Sequence, residues 1–94
     1  MVRLTRDTID DHALTQWVRK NHCGAVVTFL GTVRDLTDGK VTTHLEYEGY
    51  PEMAEKTLVQ IEAETRERWN VGEVAIEHRL GRLEIGEVSV AIAV

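Results

Sequence analysis

The residues best suited to chemistry lie in the run Phe29-Leu30-Gly31-Thr32-Val33-Arg34-Asp35. An apolar segment there delivers a glycine, a hydroxyl and a guanidinium in succession. That set suits an anion, because backbone N–H groups near Gly31, the hydroxyl of Thr32 and the forked donors of Arg34 can converge on one group of oxygens. From spacing alone the simpler account is that Arg34 pairs with Asp35 or Asp38 where a strand ends.

Other reactive types are scattered. His12, His22, His44 and His78, with Cys23, match no metal-ligand spacing and read as rim histidines. Cys23 has no base at a fixed spacing and reads as a small residue at a helix-to-strand turn. In His78-Arg79-Leu80-Gly81, strand alternation points His78 toward the core, hydrogen-bonded at a strand end, and Arg79 outward. Met53 follows Tyr47 and Tyr50 closely; the three could line a pocket or a partner surface, and ordinary core packing explains Met53 equally well. The sequence shows no carboxylate pair, Gly-rich phosphate loop or nucleophile–base pair.

The elements that must carry these residues can be read from periodicity. Residues 2–5 suit a short edge strand. Asp7 or Thr8 can cap a first helix, whose face would be Ile9, Ala13, Leu14, Trp17 and Val18. Residues 24–33 (GAVVTFLGTV) are apolar on both faces, which predicts a central strand, with Gly31 leaving a gap for a ligand or a backbone. Asp38-Gly39 marks a turn, and 41–48 alternate as a half-buried strand, expected to pair antiparallel with 24–33.

Pro51 opens a second helix running to about Trp69, with Ala54, Leu58, Ile61, Thr65 and Trp69 inward. Glu52–Lys56, Glu62–Arg66 and Glu64–Arg68 form solvated i,i+4 pairs. Residues 73–80 and 87–94 are two more strands, joined by a hairpin-like connection containing Gly81 and Gly86. The last strand has Val88, Val90, Ile92 and Val94 on one face and Ser89, Ala91 and Ala93 on the other, so it too should be buried on both sides.

Composition narrows the class. Ninety-four residues with 43% hydrophobic and 29% charged side chains describe one ordinary globular domain, too small for a deep internal cavity. A site must then sit at an edge or between chains. The net charge of −5 disfavours nucleic acid as a partner but leaves room for a local anion pocket. The single cysteine excludes an intrachain disulfide, no signal peptide or membrane span is readable, and the expected location is the cytoplasm. The apolar strand 87–94 ends the chain with no polar tail, so a continuation is expected.

Four strings in order carry a resemblance. GAVVTFLGTVRD, LEYEGYPEMAEKTL, RW and HRLGRLEIGE followed by an apolar strand together resemble the MoaE family, the large (catalytic) subunits of molybdopterin synthase. The resemblance implies an α+β fold of the α/β-hammerhead type, with a mixed, mostly antiparallel sheet and two helices, forming a single MoaE-like domain over residues 1–94 that is incomplete at its C-terminal side. It implies a homodimer, completed to a heterotetramer by a small ubiquitin-like sulfur-carrier subunit of the MoaD type. The thiocarboxylated tail of that subunit would supply sulfur, in two rounds, to cyclic pyranopterin monophosphate, giving the dithiolene of molybdopterin.

Residue by residue, the family's first substrate-binding segment falls on Thr32, Val33 and Arg34. Arg34 becomes the expected partner of the substrate's phosphate or pterin oxygens, and Phe29 a residue that shapes the pocket, with Met53 a second candidate for that role. No metal and no cofactor is implied. The family's second His-Arg pair and its catalytic lysines would lie beyond Val94, so no catalytic residue is expected within this chain, and the 94 residues alone are expected to be inactive. Two other readings stand beside this one: a non-catalytic dimerisation or partner-binding module on the same fold, and a small-anion regulatory domain built around Arg34.

Overall fold

The structure, a computed structural model, describes residues 1–37, 40–41, 44–47 and 50–94, with side chains outside 36–49. The expected Asp38-Gly39 turn therefore lies outside the described residues. The elements are β1 (Val2–Thr5), α1 (Asp11–Val18), β2 (Thr28–Thr32), β3 (Leu36–Thr37), β4 (Lys40–Val41), β5 (His44–Tyr47), α2 (Pro51–Arg68), β6 (Ala75–Arg79), β7 (Gly81–Glu84) and β8 (Val88–Ala93). This is the expected α+β architecture with two helices and a mixed sheet.

Four strands form the main sheet in the order β1-β6-β8-β2. β1 runs parallel to β6, and the other two pairings are antiparallel. β8 is an inner strand as expected, but only its Ser89, Ala91 and Ala93 face is buried; Val88, Val90 and Ile92 are half-buried on the other. Its small residues make one face nearly flat: Ala91 and Ala93, with Ala75 opposite Ala93, are fully buried. α1 packs on that face through Ile9, Leu14 and Val18. Alanines let the helix approach closely, and each buried branched side chain contributes about 1.5–3 kcal/mol. Asp10, rather than Asp7 or Thr8, caps α1, its Oδ1 accepting from Ala13 N–H at 3.0 Å. Of the expected face, Ala13 and Trp17 are exposed.

α2 lies against β1 and β6 on the other face. Pro51 sits in its first turn, where the missing N–H has no partner to lose. Its inward stripe is Ala54, Leu58, Glu62 and Thr65, all half-buried, whereas Ile61 and Trp69 are exposed. Glu62 replaces Ile61 in that stripe because its carboxylate binds the Met1 ammonium at 2.9 Å and Arg66 at 3.4 Å.

Three strand expectations change. β2 is an edge strand, not a central one; Phe29 is 57% exposed, and Val27 and Leu30 are exposed too. Two-sided apolarity there reflects faces left open within this chain rather than burial. The strand at 44–47 pairs with β7, not with β2, so the 81–86 connection itself contains a strand. Gly81 and Gly86 both adopt positive φ, at 84° and 86°, and bend the chain at either side of β7. β3 and β4 form a separate two-stranded ladder.

Candidate functional site

β2 delivers the predicted anion-binding residues to its C-terminal end. The strand is pinned to β8 by close contact at Gly31. A Cβ there would stand 2.6 Å from Val90 Cγ1, so only glycine fits without rearrangement. The gap that the sequence offered to a ligand is thus filled by Val90. Ser89 Oγ donates to the Gly31 carbonyl at 3.1 Å, and the register slips between Gly31 and Thr32. Such a slip re-aims the side chains that follow it.

Val33 is the anchor of this exit. Its side chain is 3% exposed, its N–H donates to the Glu87 carbonyl at 3.0 Å, and its carbonyl accepts from Gly86 N–H at 2.8 Å. Both backbone groups are occupied and the side chain is inside. Thr32 and Arg34, on either side of it, are exposed. Among the described residues Arg34 makes no ion pair, Asp35 included. Asp38, the other candidate counter-ion, lies outside them. Among the described residues the exit of β2 therefore offers an open hydroxyl and an open guanidinium, flanking a residue held through both backbone groups.

The segment that holds Val33 is itself held. Glu87 Oε1 accepts from Glu84 N–H at 2.8 Å and Glu87 N–H donates to the Glu84 carbonyl at 3.1 Å. Glu87 Oε2 accepts from Arg79 Nη1 at 2.9 Å, and Arg79 Nη2 reaches the Arg82 carbonyl at 3.3 Å. The Glu84 N–H and, next to it, the Arg79 guanidinium keep the Glu87 carboxyl below the usual range. Arg79 is 7% exposed, which overturns the expectation that it points outward. β6 is buried on both faces, and α1 and α2 both contact it, so a charge on it survives only if paired. Neither Arg79 nor Glu87 stood out as functional in the sequence. No local signal set Arg79 apart: β6 also carries Glu77 and His78, so alternation makes Arg79 look like one more solvent-facing polar residue.

The remaining candidates sit elsewhere. Phe29 lies across from Ile92 on the face opposite α1, open to solvent. Met53 is 67% exposed in the first turn of α2, and Tyr50 is more exposed still, which excludes core packing for both within this chain. His78 is half-buried, with Nδ1 2.7 Å from the Arg79 carbonyl, as a structural strand-end histidine should be. Among the described residues no cluster of metal-ligating side chains exists. Cys23 packs against Gly72, where a Cβ would stand 2.5 Å from its sulfur. Two clefts, of about 680 and 390 Å³, flank Cys23 at the opposite end of β2 from Arg34. The smaller is lined by His22 as well as Cys23, but among the described residues the two side chains share no hydrogen bond.

The family model described as "MoaE protein" matches residues 4–94. The chain belongs to the MoaE family. A molybdopterin synthase catalytic subunit of Halalkalibacterium halodurans is 62% identical over 73 residues, covering 78% of this chain and 47% of the relative. One from Bacillus subtilis is 47% identical over 91 residues, covering 97% and 58%. The crystal structure of molybdopterin synthase from Staphylococcus aureus superposes with a TM-score of 0.86 at 39% identity, over 96% of this chain and 66% of that one. A Helicobacter pylori complex of subunits 1 and 2 of molybdopterin-converting factor, at 19% identity and a TM-score of 0.72, shares the fold. This MoaE chain spans about half the length of the relatives it matches. No helix among its described residues is long and apolar enough to cross a membrane.

Proposed function

We propose that this MoaE chain provides the scaffold and the first substrate-binding segment of a molybdopterin synthase large subunit. In this reading the enzyme is a sulfurtransferase. A MoaD-type small subunit presents a thiocarboxylated C-terminus, and sulfur passes in two rounds to cyclic pyranopterin monophosphate to form the dithiolene. Arg34 holds phosphate or pterin oxygens, with the Thr32 hydroxyl beside it and the Val33 backbone as the fixed point between them. Phe29 and Met53, both open apolar side chains, shape the walls that substrate or partner meets. The lysines that carry catalysis are expected in the remaining length of the family, so the 94 residues alone turn nothing over. The assembly is a homodimer of large subunits with a small subunit on each, working in the cytoplasm.

The observation that carries this reading is the open Arg34 guanidinium, unpaired among the described residues, at an exit where Val33 is clamped on both backbone groups. A planar forked donor held on a rigid strand end is suited to bidentate recognition of an oxyanion. The test is reconstitution of the full-length gene product with a thiocarboxylated small subunit and cyclic pyranopterin monophosphate. Dithiolene formation is expected, and its complete failure sinks the proposal.

The exposed apolar side chains of Phe29 and Leu30 on edge strand β2, and of Val27 just before it, favour a second reading, a module that only dimerises or binds a partner. Light scattering and a pull-down with the small subunit decide it: a partner-indifferent monomer removes that reading.

A further inference from the structure

The β2 exit is held by a chain of contacts that begins far from Arg34 in sequence. Arg79, buried in the inner strand β6, donates to Glu87 Oε2 at 2.9 Å. Glu87 Oε1 closes the 84–87 turn by accepting from Glu84 N–H. The backbone of that same turn then grips Val33 twice, through the Glu87 carbonyl and Gly86 N–H. Val33 immediately precedes Arg34.

We propose that Arg79 and Glu87 are positioning residues that set the Arg34 side chain for its anion by locking the 84–87 turn onto the backbone of Val33. The proposal rests on the reading of Arg34 as the substrate's anion partner. It assigns neither residue any contact with substrate.

The geometry favours positioning over a general contribution to stability. Glu87 closes the turn with Oε1 and ties it to β6 through Oε2 and Arg79, and its own carbonyl is the acceptor for Val33. Gly86, at φ 86°, gives the turn the conformation that aims its N–H at Val33. β2 is an edge strand, so on its outer side no strand of the main sheet restrains the exit. Among the described residues Arg79 Nε is buried with no partner, so its guanidinium is fixed mainly through Glu87 and the Arg82 carbonyl. Loosening the turn should therefore let residues 32–34 swing while the β1–β6–β8 core stays in place.

The test reads the clamp directly by amide exchange and its consequence by kinetics. Glu87→Gln keeps the size of the side chain and an acceptor for Glu84 N–H but removes the charge facing Arg79. Exchange at Val33 and Gly86 should rise about tenfold, the scale of losing one charge-assisted hydrogen bond. The Ile76 and Leu80 amides, which bond Met1 and Thr5 across β1–β6, should keep their protection. Arg79→Gln should accelerate the same two amides. In the assembled full-length enzyme, Glu87→Gln should raise KM for the pterin while kcat stays near wild type, because the guanidinium is present but less often in place. Unchanged protection at Val33 and Gly86 in both variants overturns the proposal. So does a uniform loss across the sheet, which marks a merely structural role. The exchange experiment needs no sulfur transfer, so a wild-type enzyme that makes no dithiolene defeats the functional reading while the clamp is still decided.

Discussion

Replacing Gly31 with alanine probes the contact that registers β2 against β8. The new Cβ would stand 2.6 Å from Val90 Cγ1, whereas carbon atoms prefer about 3.5–4.0 Å. Roughly 1 Å must be made up. Val90 can yield little, because a branched side chain in a strand has restricted χ1. β2 cannot slide without breaking the ladder that runs from Thr28–Ala93 to Thr32–Val88. Overpacking of this kind costs about 1–3 kcal/mol, and the stiffer backbone of alanine in a strand returns about 0.5–1 kcal/mol. Gly31→Ala should therefore destabilise by about 1 kcal/mol, within a span of roughly 0–2.5 kcal/mol, read as a lower urea midpoint at unchanged slope. The sharper assay is a double-mutant cycle with Val90→Ala, which removes the atom in conflict. On that background Gly31→Ala should be neutral or stabilising, giving a coupling of about 1–3 kcal/mol. Additivity within about 0.5 kcal/mol would show that Val90 is not what excludes a side chain at residue 31.

Three further outcomes follow from the packing and charges. Leu14→Ala should cost about 2–5 kcal/mol in urea unfolding, since Leu14 is buried between α1 and the alanine face of the sheet. Asp10→Ala should cost about 1 kcal/mol by removing the cap on Ala13 N–H, whereas Asp7→Ala should be near neutral in the same assay. For Glu62, burial raises the carboxyl pKa, but the Met1 ammonium and Arg66 outweigh it and leave the value below 4.5. Its stabilising contribution is complete above that unfolded value and disappears as pH falls through the lower folded one, so Glu62→Gln should flatten the acid limb of a stability–pH profile there.

Much of the fold was written in local patterns. The Pro51 start, the positions of both helices and the two-sided apolarity of β8 needed no long-range information. β2 carries the same two-sided apolarity as β8, and nothing local separates an inner strand from one at an edge. The partner of β5 is Gly81–Glu84, a short stretch between two glycines that reads as a connection until its long-range pairing is known. Arg79 reads as outward for a related reason: alternation gives a face, but only the elements packed over it decide whether that face is wet. At the site, Arg34 was legible as an anion candidate from its neighbours, while the hold on Val33 was not, because residues 86 and 87 reach it across more than fifty positions of chain.

The central claim is that Arg34 at the clamped β2 exit recognises the anionic substrate. The most direct test is steady-state dithiolene formation by the reconstituted full-length enzyme carrying Arg34→Ala. Losing a charge-assisted bidentate contact should raise KM for the cyclic pyranopterin at least about tenfold, and Arg34→Lys, which keeps the charge without the fork, should recover only part of it. A KM and kcat indistinguishable from wild type in Arg34→Ala would contradict the account.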